Sequence, residues 1–163
     1  MEKYLEMLKS HGAALAIKID AATVVTAPWT LYKCQYGCDM YGTNLKCPPY
    51  TPTWRETRDM LSDFTTAILF MAHNTNQVNT LAVDLSRQLF LDDYYKVIAF
   101  GADACTRCQT CTLTTCVRPG ETLPGMDACG IDVYATVRAN GLTMHTLKDK
   151  ASVPDHYGLI LVE

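Results

Sequence analysis

The sequence lacks any apolar run that approaches the length of a membrane span, and it lacks the basic excess typical of nucleic-acid-binding proteins. Its formal net charge is −3 and its pI is near 5.8. The N-terminal residues 1–12 mix acidic with basic side chains and contain no long apolar stretch, so we see no secretory signal. We therefore expect a cytoplasmic protein that binds neither nucleic acid nor membrane.

Familiar catalytic signatures are also missing. We find no Ser/His/Asp constellation, no glycine-rich phosphate loop and no flavin fingerprint. The histidines, at positions 11, 73, 145 and 156, show no metal-ligand spacing, and we interpret them as surface or core residues. Whether the protein is an enzyme therefore stays open at the level of sequence.

Cysteine, in contrast, is abundant. The chain has 163 residues, 48% of them hydrophobic, which suggests a single domain over residues 1–163 with a real core. Such a chain does not need disulfides, and a reducing cytosol disfavours them. Its eight cysteines are therefore predicted to be metal ligands.

The strongest signal is the run Cys105-x2-Cys108-x2-Cys111-x4-Cys116. Its first three cysteines match the spacing with which ferredoxins hold three corners of a [4Fe–4S] cube, although a ferredoxin continues with x3-C-P. Thiolates are the soft ligands that iron–sulfur clusters and zinc select. We interpret the run as three ligands of one cluster, with Cys116 serving this cluster or another.

A second group, Cys34-x3-Cys38-x8-Cys47-Pro, is weaker alone, since its spacing fits either a cluster corner or a zinc loop. Cys129 stands apart beside Gly130, at the start of a predicted helix whose dipole would lower the pKa of the thiol. It is either a ligand or a small core residue. If all eight cysteines bind, they make two sets of four, enough for two [4Fe–4S] clusters.

Zinc is the competing metal, because two sites of four thiolates would fit the same count. Structural zinc, however, usually draws on paired C-x2-C knuckles, whereas a triple C-x2-C-x2-C is more typical of iron–sulfur. Cations flank the cysteines in sequence and would compensate the negative charge of a thiolate-ligated cluster; they are Lys33, Lys46, Arg107 and Arg118. For any one of them taken alone, an ordinary solvated surface charge is the favoured interpretation.

Interleaved helices and strands predict an α/β fold, with layered helices on a small mixed sheet. We expect helices near 3–10, 53–64, 77–91 and 131–140, and strands near 13–19, 22–27, 65–72, 97–100 and 157–162. The cysteine segments 34–50 and 101–130 are predicted to be loops between these elements that emerge together at one end. The tyrosines of the first loop could line a pocket, but packing around a cluster is the favoured interpretation.

Together these residues resemble one family of predicted metal-binding proteins, a domain of unknown function found largely in anaerobic bacteria and archaea. The resemblance runs from about Ala22 to the last strand. The residues that carry it are Lys33-Cys34, Gly37-Cys38, Tyr41-Gly42, Cys47-Pro48-Pro49, Pro52-Thr53, the Cys105–Cys111 triplet, Cys116-x-Arg118-Pro119 and Gly130-Ile131-Asp132-Val133. It implies metal or iron–sulfur binding in an anaerobic cytosol and implies no particular reaction.

Three hypotheses remain. The first is an electron carrier or redox subunit with two [4Fe–4S] clusters and a redox partner protein. The second is an enzyme in which Cys34, Cys38 and Cys47 hold a cluster whose open iron binds a small substrate. The third is a structural zinc protein that scaffolds a partner.

Overall fold

The fold is built on one four-stranded sheet in the order β1-β2-β4-β3. A computed structural model describes residues 1–149 and 151–163. The strands, numbered in chain order, are β1 (Leu15–Asp20), β2 (Thr66–Ala72), β3 (Val97–Phe100) and β4 (His156–Val162). Every pair of neighbouring strands is antiparallel.

The two inner strands are the most apolar segments of the chain. Ile68 of β2 pairs with Ile160 of β4, and neither side chain is exposed. A strand buried on both faces is nearly continuously hydrophobic, which is why β2 and β4 lack the polar alternation of an outer strand. Each large aliphatic side chain buried in this way contributes about 1.5–3 kcal/mol.

Five helices are present in the described residues. They are α1 (Glu2–Ser10), α2 (Trp29–Gly37), α3 (Trp54–Leu61), α4 (Thr75–Leu91) and α5 (Val133–Ala139). The N-terminus of α3 has the capping box that its sequence predicts, since the Thr53 hydroxyl accepts from the Glu56 amide and the Glu56 carboxylate accepts from the Thr53 amide. No helix in this part of the chain is both long and apolar enough to cross a bilayer.

The sheet separates two hydrophobic cores. The first packs α1 and α4 against β2 and β4, through residues such as Leu8, Leu85 and Ile160. The second lies on the other face, where Phe64, Ile131 and Val137 pack against Leu69 and Leu159. Cys129 is one of the residues of this second core.

The structure confirms the α/β fold and corrects the sheet, which is antiparallel rather than mixed within the described residues. Strands β2 and β3 run in the same direction and are joined by α4, as in a βαβ unit. However, β4 inserts between them and runs opposite to both. The alternation of strands and helices predicts the unit but cannot reveal that a later strand splits it.

Two local predictions are also wrong. Residues 22–27 do not form a strand; the chain makes a 3-10 turn at Ala21–Thr23 and a single bridge from Thr26 to Ile131. Residues 34–37 are not loop but the last turn of α2, so Cys34 lies on a helix. Of residues 22–27 only Val24 belongs to the buried core, and it packs there from the end of a turn, which an apolar composition alone does not distinguish from a short strand.

Candidate metal centre

The first cysteine group begins on α2 and ends in a chain of tight turns. Cys34 lies in the last turn of the helix, and Cys38 is its C-terminal cap residue. The following loop folds back on itself, since the Gly42 amide donates to the Pro48 carbonyl and the Cys47 amide donates to the Asn44 carbonyl. These bonds fix the backbone around Cys47, which is buried.

Asn44 holds the Cys47 thiol directly. Its side-chain amide nitrogen donates to Cys47 Sγ at 3.3 Å, and its side-chain oxygen accepts from the Lys46 amide at 3.0 Å. Burial raises the pKa of Cys47, while the Asn44 hydrogen bond acts to lower it. Asn44 is not among the site residues that the sequence predicts. Its signal is the Asx turn that an asparagine three residues before a loop cysteine can form.

The pKa of Cys34 shows that the cysteines of the first group lie close together in space. Burial raises its pKa from 9.0 to about 11, and the neighbouring charges of Asp127, Cys38 and Cys47 act in the same direction. Charges affect one another in this way only at short range. Without a metal, the Cys34 thiol holds its proton at neutral pH, and a metal ion must displace that proton to bind.

Cys129 joins the same group from the second core. It is fully buried at the end of the 3-10 turn Asp127–Cys129, and its carbonyl accepts from the Thr57 hydroxyl at 2.6 Å. Burial raises its pKa to about 12, with smaller effects from Asp127 and Cys47. The prediction that a helix dipole lowers this pKa is wrong, because the thiol faces the apolar core and α5 begins only at Val133.

The second cysteine group lies on a long loop that is closed at its base. The Gly101 amide donates to the Pro124 carbonyl, and the Met126 amide donates back to the Gly101 carbonyl. Asn79 of α4 holds the start of the loop, since its side chain accepts from the Ala102 amide at 2.8 Å and donates to the Ala102 carbonyl at 3.1 Å. In this way α4 positions the segment that leads to Cys105.

All four cysteines of this loop line one cavity of about 330 Å³. They are Cys105, Cys108, Cys111 and Cys116. The opposite wall of the cavity is residues 43–46 of the first loop, together with Met40. The structure therefore brings Cys116 together with the other three cysteines of its own run, a grouping that the spacing had left open.

Cys111 differs from the buried thiols. Backbone N–H groups of Leu113, Leu45 and Thr112 donate to its sulfur and lower its pKa, against a smaller opposing effect of burial. Leu45 belongs to the first loop, so this contact joins the two cysteine segments. The lowered pKa makes the Cys111 thiolate, which is the form that binds a metal, easier to reach than that of a free cysteine.

The two groups are neighbours. The charge of Cys105 reaches Cys47 and raises its pKa, although by less than burial does. Asn44 lines the cavity of the second group while it donates to the thiol of the first. Within residues 1–149 and 151–163, however, no three Cys, His, Asp or Glu side chains converge as ligands of a single metal ion.

The four flanking cations occupy different positions. Lys33 acts on the pKa of Cys34 and Lys46 on that of Cys129, in each case as an opposing positive charge. Lys46 and Arg118 line the second cavity, and Arg118 also pairs with Glu121 at 3.2 Å. Arg107 lies exposed on the second loop.

Two histidines pair with carboxylates at 3.2 Å: His73 with Asp155, and His156 with Asp103.

The tyrosines of the first segment are more exposed than packing around a cluster predicts. Tyr32 and Tyr36 have exposed fractions of 61% and 78% and stack on each other with ring centroids 6.3 Å apart.

A family model described as "Predicted metal-binding protein (DUF2284)" matches residues 17–162. The match agrees with the resemblance that the cysteine motifs indicated. No curated protein and no solved structure matches the chain.

Proposed function

The chain belongs to this family of predicted metal-binding proteins, and on that premise we propose that it is an iron–sulfur protein with two [4Fe–4S] clusters that serves in electron transfer. The eight cysteines would form two sets of four ligands. Cys105, Cys108, Cys111 and Cys116 would form one set, and Cys34, Cys38, Cys47 and Cys129 would form the other. Bound by such thiolates, a [4Fe–4S] cluster supplies one-electron transfer.

The cavity of the second group is the observation that carries the proposal. Its volume of about 330 Å³ is lined by four thiols. Since liquid water takes up about 30 Å³ per molecule, this space can hold a compact body of many atoms. Four thiols distributed around a volume are what a four-iron cluster requires, because each cysteine ligates a different iron.

Zinc fits this arrangement less well. A zinc ion draws its four ligands to within about 2.3 Å of one point. No three candidate ligands converge in that way in the part of the chain that the structure describes. The wider distribution of thiols supports a cluster over a single ion, and we keep zinc as the competing outcome of the experiment below.

The first group supplies a matching donor set. The charges of Cys38 and Cys47 raise the pKa of Cys34, and the charge of Cys38 also raises that of Cys47. The charge of Cys47 in turn raises the pKa of Cys129. The Asn44 amide already donates to Cys47 Sγ, and N–H donors of this kind stabilise thiolate sulfur and tune the potential of a cluster. Lys33 and Lys46 would offset part of the negative charge.

The closeness of the two groups supports an electron-transfer role. Residues 43–46 of the first loop form a wall of the second cavity, so an electron would cross only a short stretch of protein between two bound clusters. Cys38 is exposed and would bring the first cluster close to the surface, where a redox partner protein could dock. We propose the reducing cytosol of an anaerobe as the setting, since thiolates remain available there.

Iron and sulfide analysis of anaerobically purified protein tests this function. We expect about eight irons and eight sulfides per chain and a brown protein with broad absorption near ~400 nm, as thiolate-ligated clusters give. A colourless protein that carries zinc would contradict the proposal. About four irons per chain would show that one cysteine group has another task.

A second candidate function is an enzyme whose first cluster has only three cysteine ligands. The observation in its favour is that Cys129 lies among apolar side chains of the second core, fully buried. Buried free cysteines often serve only as small hydrophobic residues. Without Cys129 as a ligand, one iron would be open to a substrate, as open metal positions are in other metalloenzymes.

Cys129→Ser separates the two candidates. With eight ligands, this variant loses the first cluster, and its iron content falls by about half. With an open iron, the iron content and the spectra of the reduced protein stay unchanged. Cys129→Ala is the matched control: if serine removes iron and alanine does not, the loss reflects a polar group in the core rather than a lost ligand.

A further inference from the structure

A separate cavity of about 220 Å³ lies between α2, the base of the second cysteine loop and the start of β4. The residues that matter for its chemistry are Trp29, Lys33, Asp127, Tyr134, Met144 and Tyr157. None of the eight cysteines lines it. Its volume lies just below the usual range for ligand pockets, so an occupant has to be small.

Tyr157 offers this cavity a hydroxyl group. The residue is only 4% exposed. Among the residues that the structure describes, its hydroxyl has no hydrogen-bond partner. Among the same residues, no solvent-inaccessible side-chain oxygen or nitrogen is left without a partner. The hydroxyl therefore opens onto the space that Tyr157 lines, which is this cavity. The ring is otherwise buried, so this hydroxyl is a polar group that an occupant of the cavity can reach and hydrogen-bond.

The charges of the cavity divide into paired and available groups. Asp103 accepts from the Thr75 hydroxyl at 2.6 Å and lies 3.2 Å from the His156 ring nitrogen. Asp155 pairs with His73 in the same way. Lys33 and Asp127 form no ion pair within the described ranges, so one cation and one carboxyl group remain available to an occupant.

The remaining wall is apolar. Met126, Ile131 and Met144 line it together with the aromatic rings of Trp29 and Tyr134. An occupant therefore needs an apolar part in addition to its polar groups. An anionic oxygen suits the Lys33 ammonium and the Tyr157 hydroxyl, whereas a cationic nitrogen suits Asp127.

We propose that this cavity binds a small free amino acid with an aliphatic side chain. Its carboxylate would face Lys33 and the Tyr157 hydroxyl, its ammonium group would face Asp127, and its side chain would lie against the methionines and aromatic rings. The contacts proposed for the amino acid involve no cysteine and no metal, although the charges of Lys33 and Asp127 also act on Cys34. Methionine and leucine are small enough for the volume.

Calorimetric titration of the metal-loaded protein tests the proposal, with L-valine, L-leucine and L-methionine as probes. We expect at least one of them to bind. Tyr157→Phe, which removes one oxygen and keeps the ring, should weaken binding about tenfold, as the loss of a hydrogen bond to a charged group does. Tyr94→Phe is the matched control, because Tyr94 packs in the other core against Tyr4 and should leave binding unchanged.

Capped ligands show whether both charged ends matter. L-leucinamide lacks the carboxylate and N-acetyl-L-leucine lacks the ammonium group, so each should bind at least tenfold more weakly than L-leucine. Lys33→Gln, a substitution at an exposed position, should weaken L-leucine binding and leave L-leucinamide unaffected. The proposal is overturned if none of the three amino acids binds, if the capped forms bind equally well, or if Tyr157→Phe binds like the wild type. Iron is measured on the same samples. A metal-free protein would contradict the iron–sulfur function, whereas amino-acid binding is judged only from the titrations.

Discussion

The two cysteine groups contain the same number of thiols but hold them in opposite environments. In the first, burial raises the pKa of Cys34 to about 11 and that of Cys129 to about 12. In the second, backbone N–H groups lower the pKa of Cys111, and Cys108 is exposed. Cys111 of the second group is therefore easier to deprotonate than a free cysteine, whereas Cys34 and Cys129 of the first group are harder to deprotonate until a metal binds.

This contrast implies an order of assembly. Metal ligation requires the thiolate, so a site that already stabilises thiolates captures a metal more readily at neutral pH. We expect the second group to load before the first. Since the Leu45 amide donates to Cys111, loading of the second group would also order the loop that leads to Cys47.

The largest expected effect is the loss of a whole cluster. Cys108→Ser removes an exposed ligand of the second group and should lower the iron content from about eight to about four per chain. The first group should keep its cluster, because Cys108 lies outside it. Iron analysis and spectra of the reduced protein measure this, with Thr110→Ser on the same loop as control. Retention of all the iron in Cys108→Ser would refute the assignment of this run.

The next effect concerns the apoprotein at alkaline pH. The folded state holds the Cys129 proton up to a pKa of about 12, whereas the unfolded chain releases it near 9.0. The folded state thus binds more protons above pH 9, and its stability falls as the pH rises towards 12, by on the order of 4 kcal/mol in total. Below pH 9 this contribution is fully present.

Urea unfolding of chelated protein at pH 7.5, 9 and 10 measures that loss. Cys129→Ala should show a shallower decline than the wild type, and Cys111→Ala should not, because the pKa of Cys111 is lowered rather than raised. A decline that is equally steep in all three proteins would remove the proposed difference between the two groups.

Asn79→Ala should affect the second group alone. It removes two hydrogen bonds to Ala102 at the base of the loop, each worth about 0.5–1.5 kcal/mol. We expect the free energy of unfolding to fall by about 1–3 kcal/mol, and the second cluster to be lost first on exposure to a chelator. Asn76→Ala, an exposed asparagine on the same helix, is the control. Equal loss of both clusters would show that Asn79 supports the whole fold.

The smallest effect is electrochemical and belongs to the first group. Asn44→Ala removes the N–H donor to Cys47 Sγ. Hydrogen bonds to thiolate stabilise the more negative, reduced state, so the potential of the first cluster should fall by about 40 mV, the equivalent of about 1 kcal/mol for one electron. Redox titration followed by electron paramagnetic resonance measures it, with Gln35→Ala on α2 as control. An unchanged potential would contradict this role of Asn44.

Much of the secondary structure could be predicted because local patterns decided it. The capping box at Thr53, the apolar run of β2 and the periodicity of α4 all describe interactions within a few residues. The helix α2 was missed because it follows a proline and carries three aromatic residues and a cysteine, a composition that also suits a loop. Packing of its buried Thr30 helps to hold this helix in the fold, and no sequence pattern reports that packing.

By itself, the sequence determined the donor chemistry. Eight thiols in two spaced groups favour a soft metal and exclude most other uses, because ligand type and local spacing are properties of the chain. Only the tertiary structure decided the partners and the environment. It placed Cys116 with its own run and brought Cys129 to Cys47 from about eighty residues away in sequence. It also buried Cys47 and Cys129 of the first group, whereas every cysteine of the second group stays at least partly accessible. The reason is that burial and long-range contact depend on how distant segments pack, which spacing along the chain does not encode.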